Sequence, residues 1–374
     1  MCLCALVFKF LPQSHQDTKN CSMKTYKNLY DKICSFENLL LASRKARLGK
    51  RSNTDVAQFE INLEKELVNI REELLQQTYT PGNYTEFYIY EPKKRMISAA
   101  PYRDRVVHHA LCNVIEPLFE KTFIYDSYAN RTGKGTHKAI KRYQEFSRKN
   151  SFVLKCDIQK FFPSIDHEIL KQEIRKKIGC RKTLWLIDTI IDNSNEQEAT
   201  LNYFETDTLF SSIERRKGLP IGNLTSQFFA NVYMNAFDHF VKEQLQCKSY
   251  VRYVDDFVVF GNEKKHLGSI KVSLETFLQT LRLIVHPNKT KVFPIDTGLC
   301  FLGHRVFPTF RLLKKENVQR SRRKLKKLET LYAQGKITLA KVSASVRSWI
   351  AHASFSDTDR LREKIFSNIV FVKE

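Results

Sequence analysis

The sequence lacks several features that would place a chain of 374 residues in a familiar class. Its nine cysteines are scattered, and no Cys-x-x-Cys pair or Cys/His cluster has zinc spacing, which argues against a zinc-binding module. No apolar run is long enough to cross a bilayer, and there is no internal repeat, low-complexity tract or long linker. We therefore expect a globular cytoplasmic protein with no membrane contact, whose thiols are reduced and mostly buried.

Negative charge is scarce relative to positive charge. The chain has 62 Lys and Arg against 40 Asp and Glu, a net charge of +22 at pH 7. Such a field attracts polyanions, so nucleic acid is the first partner to consider and an anionic membrane surface the second. The alternative is a basic but unspecialised surface. The densest stretch, residues 311–327, holds nine Lys or Arg and one acid.

Strand and helix patterns alternate without a regular βαβ period, so we predict the α+β class. Apolar residues recur at helical spacing over residues 55–77 and over a long stretch at 224–245, and three further helices are predicted after residue 314. Residues 1–22 lack the basic start and the cleavage site of a signal peptide. We expect them to be an N-terminal extension outside the fold, or an upstream start that is not used.

Three aspartates follow apolar runs. Asp255 and Asp256 separate two β-branched and aromatic segments, a pattern that predicts a hairpin, and Asp157 ends another apolar strand. A lone Asp-Asp pair is usually a solvated turn, but carboxylates in apolar surroundings are costly without a cation. Oxygen ligands of this kind suit Mg²⁺. Two such ions about 3.5–4 Å apart can activate an attacking hydroxyl and stabilise a leaving oxygen.

Residues 253–256, Tyr-Val-Asp-Asp, resemble the signature turn of reverse transcriptases. Other segments resemble motifs of that family in the family's order, and together they cover about residues 24–372. These segments are Pro101–Ala110 and Asp126–Thr136 (fingers), Asp157–Phe162 (first metal motif), Leu219–Gly222 with Ser226 and Gln227 (template and nucleotide motif), Asn288–Thr290, and Phe301–His304 (primer grip).

The resemblance implies a right-hand polymerase fold. Residues 23–150 would form the fingers, 151–308 the palm with inserted fingers elements, and 309–374 a three-helix thumb. The expected activity is RNA-directed DNA polymerisation on template RNA, a cDNA or primer strand and dNTPs, with two Mg²⁺ ions or Mn²⁺ as a substitute. After the primer-grip segment we expect only the basic thumb, without an RNase H or Cys/His endonuclease module.

The resemblance also assigns roles to single residues, and each role has a structural alternative. Asp157, Asp255 and Asp256 would bind metal, and Lys289 would protonate the leaving pyrophosphate or be a surface lysine. Phe162 would be a steric gate against ribose, or a core phenylalanine. The remaining candidates are Arg95, Ile221, Gly222 and Gln227 for dNTP binding, and Leu302, Gly303, Lys314, Arg322 and Arg323 for primer and template binding.

Ile221 and Gln227 also indicate a subfamily. Most reverse transcriptases carry Gln before the glycine and Ser-Pro after it, whereas this chain resembles the enzymes of diversity-generating retroelements. Those bacterial or phage enzymes copy a template-repeat RNA, misincorporate opposite adenine, and work with a small basic accessory variability protein. A retron, antiphage or intron-type enzyme of ordinary fidelity, and a non-catalytic nucleic-acid-binding relative, stay open.

Overall fold

The computed structural model describes residues 25–372 apart from 91, 92, 199–201, 206 and 209. The N-terminal extension expected at residues 1–22 lies outside the described residues. Helices and antiparallel sheets are mixed along the chain, which confirms the mixed helix and sheet character predicted from the sequence.

The helices and strands of the described residues are as follows. The helices are α1 Tyr30–Ile33, α2 Phe36–Ala46, α3 Thr54–Ile61, α4 Leu63–Gln76, α5 Tyr102–Glu120, α6 Thr136–Ser147, α7 Phe161–Ser164, α8 His167–Arg175, α9 Arg181–Asp192, α10 Ser211–Glu214, α11 Leu224–Tyr233, α12 Asn235–His239, α13 Lys264–Thr280, α14 Lys315–Ala333, α15 Leu339–Ala353 and α16 Asp359–Phe366. The strands are β1 Thr85–Ile89, β2 Arg95–Ala99, β3 Phe152–Asp157, β4 Tyr250–Tyr253, β5 Asp256–Gly261, β6 Lys291–Pro294, β7 Leu299–Phe301, β8 His304–Val306 and β9 Arg311–Leu313.

Two helices predicted as continuous are interrupted. The stretch 55–77 divides into α3 and α4 at Asn62, which has non-helical dihedral angles (φ −110°, ψ 29°). The stretch 224–245 divides at Met234 into α11 and α12, and a π-helical turn, Phe240–Gln244, follows. Apolar spacing continues across both breaks because the chain resumes its helical course, so periodicity alone does not detect them.

A four-stranded antiparallel sheet in the order β4-β5-β3-β6 forms the centre of the molecule. Strand β3 pairs with β5 in a register that sets Leu154 against Val259 and Asp157 against Asp256. The apolar residues of both strands are buried in the core, and the two acids stand at the end of the paired strands. Apolar burial therefore determines the register that brings the acids together.

Helices cover this sheet and carry two smaller sheets. Helix α13 packs on β5 and β3, α6 packs on β4, and α11 packs on α5 and α8. The β1-β2 hairpin lies apart from the central sheet, and the sheet β7-β8-β9 precedes α14. Tyr143 of α6 stacks on Phe301 of β7 with ring centroids 5.3 Å apart, which joins this last sheet to the core.

No helix among the described residues is both long and apolar enough to cross a membrane. The six cysteines in the described part of the chain are free, and four of them are buried, as expected for reduced thiols.

The core packing yields a stability prediction at Phe257. This side chain is fully buried, and its ring centroid lies 5.1 Å from that of Phe237. Phe257→Ala removes a large apolar side chain and leaves a cavity, so the free energy of unfolding should fall by about 3–5 kcal/mol. Urea unfolding followed by circular dichroism measures this. The control Val272→Ala changes an exposed side chain of α13 and should alter stability by less than about 0.5 kcal/mol. Equal effects of the two changes would contradict the packing.

Candidate active site

The three aspartates meet at one end of the central sheet. Asp157 ends β3, Asp256 begins β5 directly opposite it, and Asp255 lies in the two-residue turn between β4 and β5. The backbone N–H of Ile158 donates to the carbonyl of Asp255 at 3.3 Å, which ties the turn to the end of β3. The turn also holds Val254 at φ +58°, a left-handed conformation that is strained for a β-branched residue.

Burial and the neighbouring acids disfavour the ionised forms of Asp255 and Asp256. Burial is the main cause that raises the pKa of Asp256 to about 7; Asp255 and Asp157 add to it, and Lys155 opposes it. Burial also raises the pKa of Asp255, where Asp157 adds to the effect and Arg95 and Lys289 oppose it. Oδ1 of Asp256 is buried and has no hydrogen-bond partner among the described residues. The mutual repulsion of the acids and this unpartnered oxygen therefore favour the approach of a cation.

Two lysines compensate part of this charge. Lys289 forms an ion pair with Oδ2 of Asp157, and Nζ of Lys155 lies 3.6 Å from Oδ2 of Asp256. Lys289 reaches Asp157 because the turn before β6 is fixed to β3, where the N–H of His286 donates to the carbonyl of Asp157 at 2.7 Å. The structure thus brings five predicted residues close enough for their charges to interact. They are Asp157, Asp255, Asp256, Lys289 and Arg95.

The donor set suits a hard divalent cation, although the side chains are not gathered around one point. Across the described ranges, no group of three or more His, Cys, Asp or Glu side chains is arranged to hold a metal ion. However, the unpartnered Oδ1 of Asp256 and the carboxylate of Asp157, which pairs with the ammonium group of Lys289, are oxygen donors of the kind that Mg²⁺ prefers. Asp157 and Asp255, with Asp256 beside them, would hold the ion if Lys289 turned away.

A tight turn carries Ile221 and Gly222 to the β1-β2 hairpin. The N–H of Leu219 donates to the carbonyl of Phe162 at 3.0 Å, and the N–H of Ser98 in β2 donates to the carbonyl of Ile221 at 3.0 Å. Gly222 has φ +119°, and a Cβ there would lie 3.0 Å from Cγ2 of Ile97, so a larger residue would be strained and crowded. The predicted residues Phe162, Ile221 and Gly222 are therefore linked to the strand that begins with Arg95.

Asn223, which the sequence reasoning missed, fixes the same turn to β2. Its buried side chain accepts from the N–H of Ala100 at 3.3 Å and donates to the carbonyl of Ser98 at 3.1 Å. Gln227 lies one turn further along α11 and is half-buried. An asparagine directly before a helix is a recognised signal for an N-terminal cap. Here the side chain bonds another segment instead, which sequence alone does not predict.

The predicted primer and template residues lie in the β7-β8 turn and at or on helix α14. Leu302 and Gly303 make the turn between β7 and β8, both at positive φ, and the N–H of Lys314 donates to the carbonyl of Gly303 at 3.1 Å. Arg322 and Arg323 are exposed on α14. Nζ of Lys155, which faces Asp256, also donates to the carbonyl of Cys300 in β7 at 2.9 Å and so links the two groups.

Arg252, also missed by the sequence reasoning, supports the aspartate turn from behind. It is fully buried and forms a two-point ion pair with Asp238 of α12 at 2.7 and 2.6 Å. The same guanidinium donates to the carbonyl of Val254 at 3.0 Å and to the side chains of Asn231 and Ser127. One side chain thus joins α11, α12 and the 126–129 segment to the residue that precedes Asp255.

This network predicts a non-additive response to substitution. Arg252→Met leaves the carboxylate of Asp238 buried without its partner and should lower the free energy of unfolding by about 3–5 kcal/mol. Adding Asp238→Leu removes that unpaired charge, so the double variant should recover part of the loss. Chemical unfolding of the four proteins of this cycle measures the coupling. Simple additivity of the two single losses would contradict the described network.

The raised pKa of Asp256 predicts the direction of a pH effect. A folded-state pKa above the ordinary value means that ionisation opposes folding, increasingly from about pH 4 to about pH 7 and fully above pH 7. In divalent-free buffer at pH 8, Asp256→Asn should therefore unfold a few degrees above the unsubstituted protein, and the difference should vanish near pH 4. Thermal unfolding with a chelator present measures this. The control Asp296→Asn, at an exposed position, should have no such pH-dependent effect, and a destabilised Asp256→Asn at pH 8 would refute the account.

Comparison with known proteins identifies the family. The family model described as "Reverse transcriptase (RNA-dependent DNA polymerase)" matches residues 90–306, a range that contains the three aspartates and the turn at Gly222. The chain is also similar to protein YkfC of Escherichia coli K12, with 24% identity over 308 residues, covering 72% of this chain and 78% of YkfC.

Two further relatives are associated with introns. The group II intron-encoded protein LtrA of Lactococcus lactis subsp. cremoris is 26% identical over 238 residues, which cover 62% of this chain and 38% of LtrA. An uncharacterized 91 kDa protein in the cob intron of Schizosaccharomyces pombe is 24% identical over 286 residues, which cover 61% of this chain and 34% of that protein. The match thus spans less than half the length of these two relatives. The family model covers more than half of this chain. The chain therefore belongs to the reverse transcriptase family, the RNA-directed DNA polymerases.

Proposed function

We propose that the chain copies a template-repeat RNA into adenine-mutagenised cDNA for retrohoming into a variable target gene. The single observation that carries the catalytic part is the pairing of Asp157 with Asp256 across β3 and β5, with Asp255 in the adjoining turn. Reverse transcriptases generally use divalent metal ions, and we propose Mg²⁺, with Mn²⁺ as a substitute. The substrates would be template RNA, a primer or cDNA strand, and dNTPs.

We assign residues 23–150 to the fingers, 151–308 to the palm with inserted fingers elements, and 309–374 to a helical thumb. The four-stranded sheet with the aspartates supports the palm assignment, because a palm presents its acids at the end of a sheet. The exposed basic face of α14, which carries Arg322 and Arg323, supports a thumb that follows the phosphates of a duplex. Leu302 and Gly303 would contact the primer end.

Each acidic or basic side chain near the site has a defined task in this proposal. When bound, two ions would activate the primer hydroxyl and offset charge on the leaving oxygen. Asp157 and Asp255 would ligate them, and Asp256 would assist through its unpartnered Oδ1. Lys289 would leave Asp157, turn toward the pyrophosphate and donate a proton from Nζ.

The remaining residues would position the nucleotide. Arg95, at the start of β2 and close enough to affect Asp255, would contact the triphosphate in the two-point manner that guanidinium groups allow. Phe162 would exclude a ribose 2′-hydroxyl by its bulk. Its backbone carbonyl accepts from Leu219, so the ring is attached to the same turn as Ile221 and Gly222.

Ile221 supports the retroelement subtype in physical terms. Its carbonyl accepts from the N–H of Ser98, and its side chain has no hydrogen-bonding group to offer a nucleotide. A glutamine there would supply both a donor and an acceptor, and apolar contacts alone discriminate weakly between similar ligands. Gln227 on α11 completes the pattern. A small basic accessory variability protein is the partner that this subtype implies, in the cytoplasm of a bacterial or phage-infected cell.

A second candidate function is an intron-type reverse transcriptase of ordinary fidelity. The observation that favours it is the similarity to LtrA, which is named as a group II intron-encoded protein. A retron or antiphage enzyme belongs to the same alternative. The three intact aspartates argue against a non-catalytic relative, because such a protein would have no need to keep buried acids next to one another.

The metal-binding roles predict a loss of synthesis without loss of the fold. Asp157→Asn and Asp255→Asn each remove a charged ligand and should reduce dNTP incorporation on an RNA template by at least about 10³-fold, in keeping with the loss of a group that stabilises transition-state charge. Primer extension with Mg²⁺ measures this, and thermal unfolding checks the fold. The control Asp296→Asn should retain activity. Undiminished synthesis by either aspartate variant would refute the assignment.

The subtype predicts a fidelity change at Ile221. Ile221→Gln restores a polar contact near the nucleotide and should reduce misincorporation opposite template adenine by about tenfold, a difference of about 1.4 kcal/mol. Sequencing of cDNA made from a template with all four bases measures this, and error rates opposite the other three bases are the internal control. A low error rate opposite adenine in the unsubstituted enzyme would instead favour the intron-type alternative.

A further inference from the structure

Helix α4 is apolar on two faces, and the fold buries only one of them. Leu67, Ile70 and Leu74 are fully buried, at the spacing expected for the inner face of a surface helix. Val68 and Leu75, seven residues apart on another face, are 36% and 42% exposed. A surface helix ordinarily presents polar side chains to water, so this second apolar face has no role in the fold itself.

A groove at the start of α4 continues this exposed face. It has a volume of about 410 Å³, and its apolar lining is Ile61, Leu63 and Val68. Ile61, the last residue of α3, is 81% exposed there. We call Ile61, Val68 and Leu75 the outer stripe. It has a groove at one end and a protruding leucine at the other, which indicates a contact surface.

Charged side chains border the outer stripe in a fixed order. Because an α-helix turns by about 100° per residue, Glu64 and Arg71 lie on one side of Val68, and Lys65 and Glu72 lie on the other. Each side therefore carries one acid and one base, in opposite order along the helix. None of the four forms a salt bridge or a side-chain hydrogen bond within the described residues, so all four charges are available to a partner.

This arrangement is complementary to itself. When a second copy of α4 lies antiparallel across Val68, the two valines meet at a two-fold axis. Glu64 precedes Val68 by four residues and Arg71 follows it by three, so Glu64 of one copy and Arg71 of the other differ by only about 1.5 Å along the axis. Lys65 and Glu72 meet in the same way on the other side. A two-fold contact pairs residues reciprocally in this manner.

The groove favours the antiparallel direction. In that arrangement Leu75 of one copy enters the groove beside Ile61 of the other copy. A parallel pair also sets opposite charges together, but it places the two grooves against each other and leaves them unfilled. Antiparallel helices further bring the positive end of each helix dipole next to the negative end of the other.

Other occupants fit this surface less well. Helix α4 carries four glutamates against one lysine and one arginine, so it repels the phosphates of a nucleic acid although the whole chain has a net charge of +22. A partner helix with charge of one sign would meet a like charge on each side of the outer stripe. Only a partner that alternates acid and base in the reverse order satisfies both sides, and a second α4 does so.

We propose that two copies of the chain form a two-fold symmetric dimer in which their α4 helices pack antiparallel across Val68. This dimer does not depend on the proposed function, because α4 packs on α2 and α3, which hold none of the candidate catalytic or nucleotide-binding residues. A pair of helices of this length is small beside the roughly 1,200–2,000 Å² of stable interfaces, so we expect dissociation at micromolar concentrations.

Sedimentation equilibrium of the full chain, freed of nucleic acid by nuclease treatment, tests this dimer. Salt at about 0.15 M screens the repulsion between two basic chains beyond about 8 Å. Val68→Asp places two carboxylates against each other at the two-fold axis and should weaken the dimer at least about tenfold. The control Val272→Asp changes an exposed valine of α13 and should leave the dimer unchanged.

A charge swap tests the direction of the helices. Glu64→Arg and Arg71→Glu each turn two attractive contacts of the dimer into repulsive ones and should weaken it about fivefold. In an antiparallel pair, the double variant regains both contacts and should return to within about twofold of the unsubstituted affinity. In a parallel pair, Glu64 faces Lys65 and Arg71 faces Glu72, so the double variant would be weaker than either single one.

Four outcomes would overturn the proposal. They are a chain that stays monomeric throughout the micromolar range, a dimer that Val68→Asp leaves unchanged, a double charge swap without recovery, and association that disappears after nuclease treatment. Thermal unfolding shows whether each variant is folded. Should Val68→Asp fail to fold, the charge-swap series still decides, since its side chains are exposed on α4.

Discussion

A charge that is buried in a protein interior needs an opposite charge next to it. On the two sides of the β4-β5 hairpin, the buried charges are compensated to different degrees. Behind the hairpin, Arg252 and Asp238 are both fully buried and neutralise each other through two hydrogen bonds. In front of it, Lys289, Lys155 and Arg95 offset the charges of Asp157, Asp255 and Asp256 only in part, and the pKa of Asp256 stays raised. The complete charge pairing behind the hairpin makes the turn rigid. The incomplete charge pairing in front of it favours the binding of cations.

The rigidity matters because the turn is strained. Val254 has a left-handed backbone conformation, and its carbonyl accepts from Arg252, which itself is held by α11, α12 and the 126–129 segment. A strained turn persists only where its surroundings determine it fully. The position of Asp255 therefore depends on Arg252, a side chain that is buried behind the turn. If Asp255 binds metal as proposed, this support would keep the ligand in place, since small displacements of ligands are costly to catalysis.

The parts of the site that follow local patterns could be predicted from the sequence. An acid after an apolar run predicts a carboxylate at a strand end, and this local rule yielded Asp157, Asp255 and Asp256. The supporting contacts could not be predicted, because they join residues distant in the chain. The partner of Arg252 lies on a helix, the ion pair of Lys289 spans 132 residues, and Asn223 bonds a strand more than 100 residues away.

The same distinction between predictable and unpredictable features applies to the fold. The mixed class and the hairpins follow from composition and alternation, whereas the breaks at Asn62 and Met234 are hidden because apolar spacing continues through them. The groove at the start of α4 was also invisible from sequence, since its lining comes from both sides of the break at Asn62.

We propose that the three aspartates form a cation site whose charge is only partly met by Lys289 and Lys155. Crystals soaked in Mn²⁺ and measured at its absorption edge test this most directly, because the anomalous signal locates the metal itself. We expect a peak within roughly 2.5 Å of carboxylate oxygens of Asp157 and Asp255, with Lys289 moved away from Asp157. The opposite result would be a Mn²⁺ peak elsewhere in the crystal and none near these carboxylates, with the Lys289–Asp157 pair intact. That result would contradict the proposed cation site.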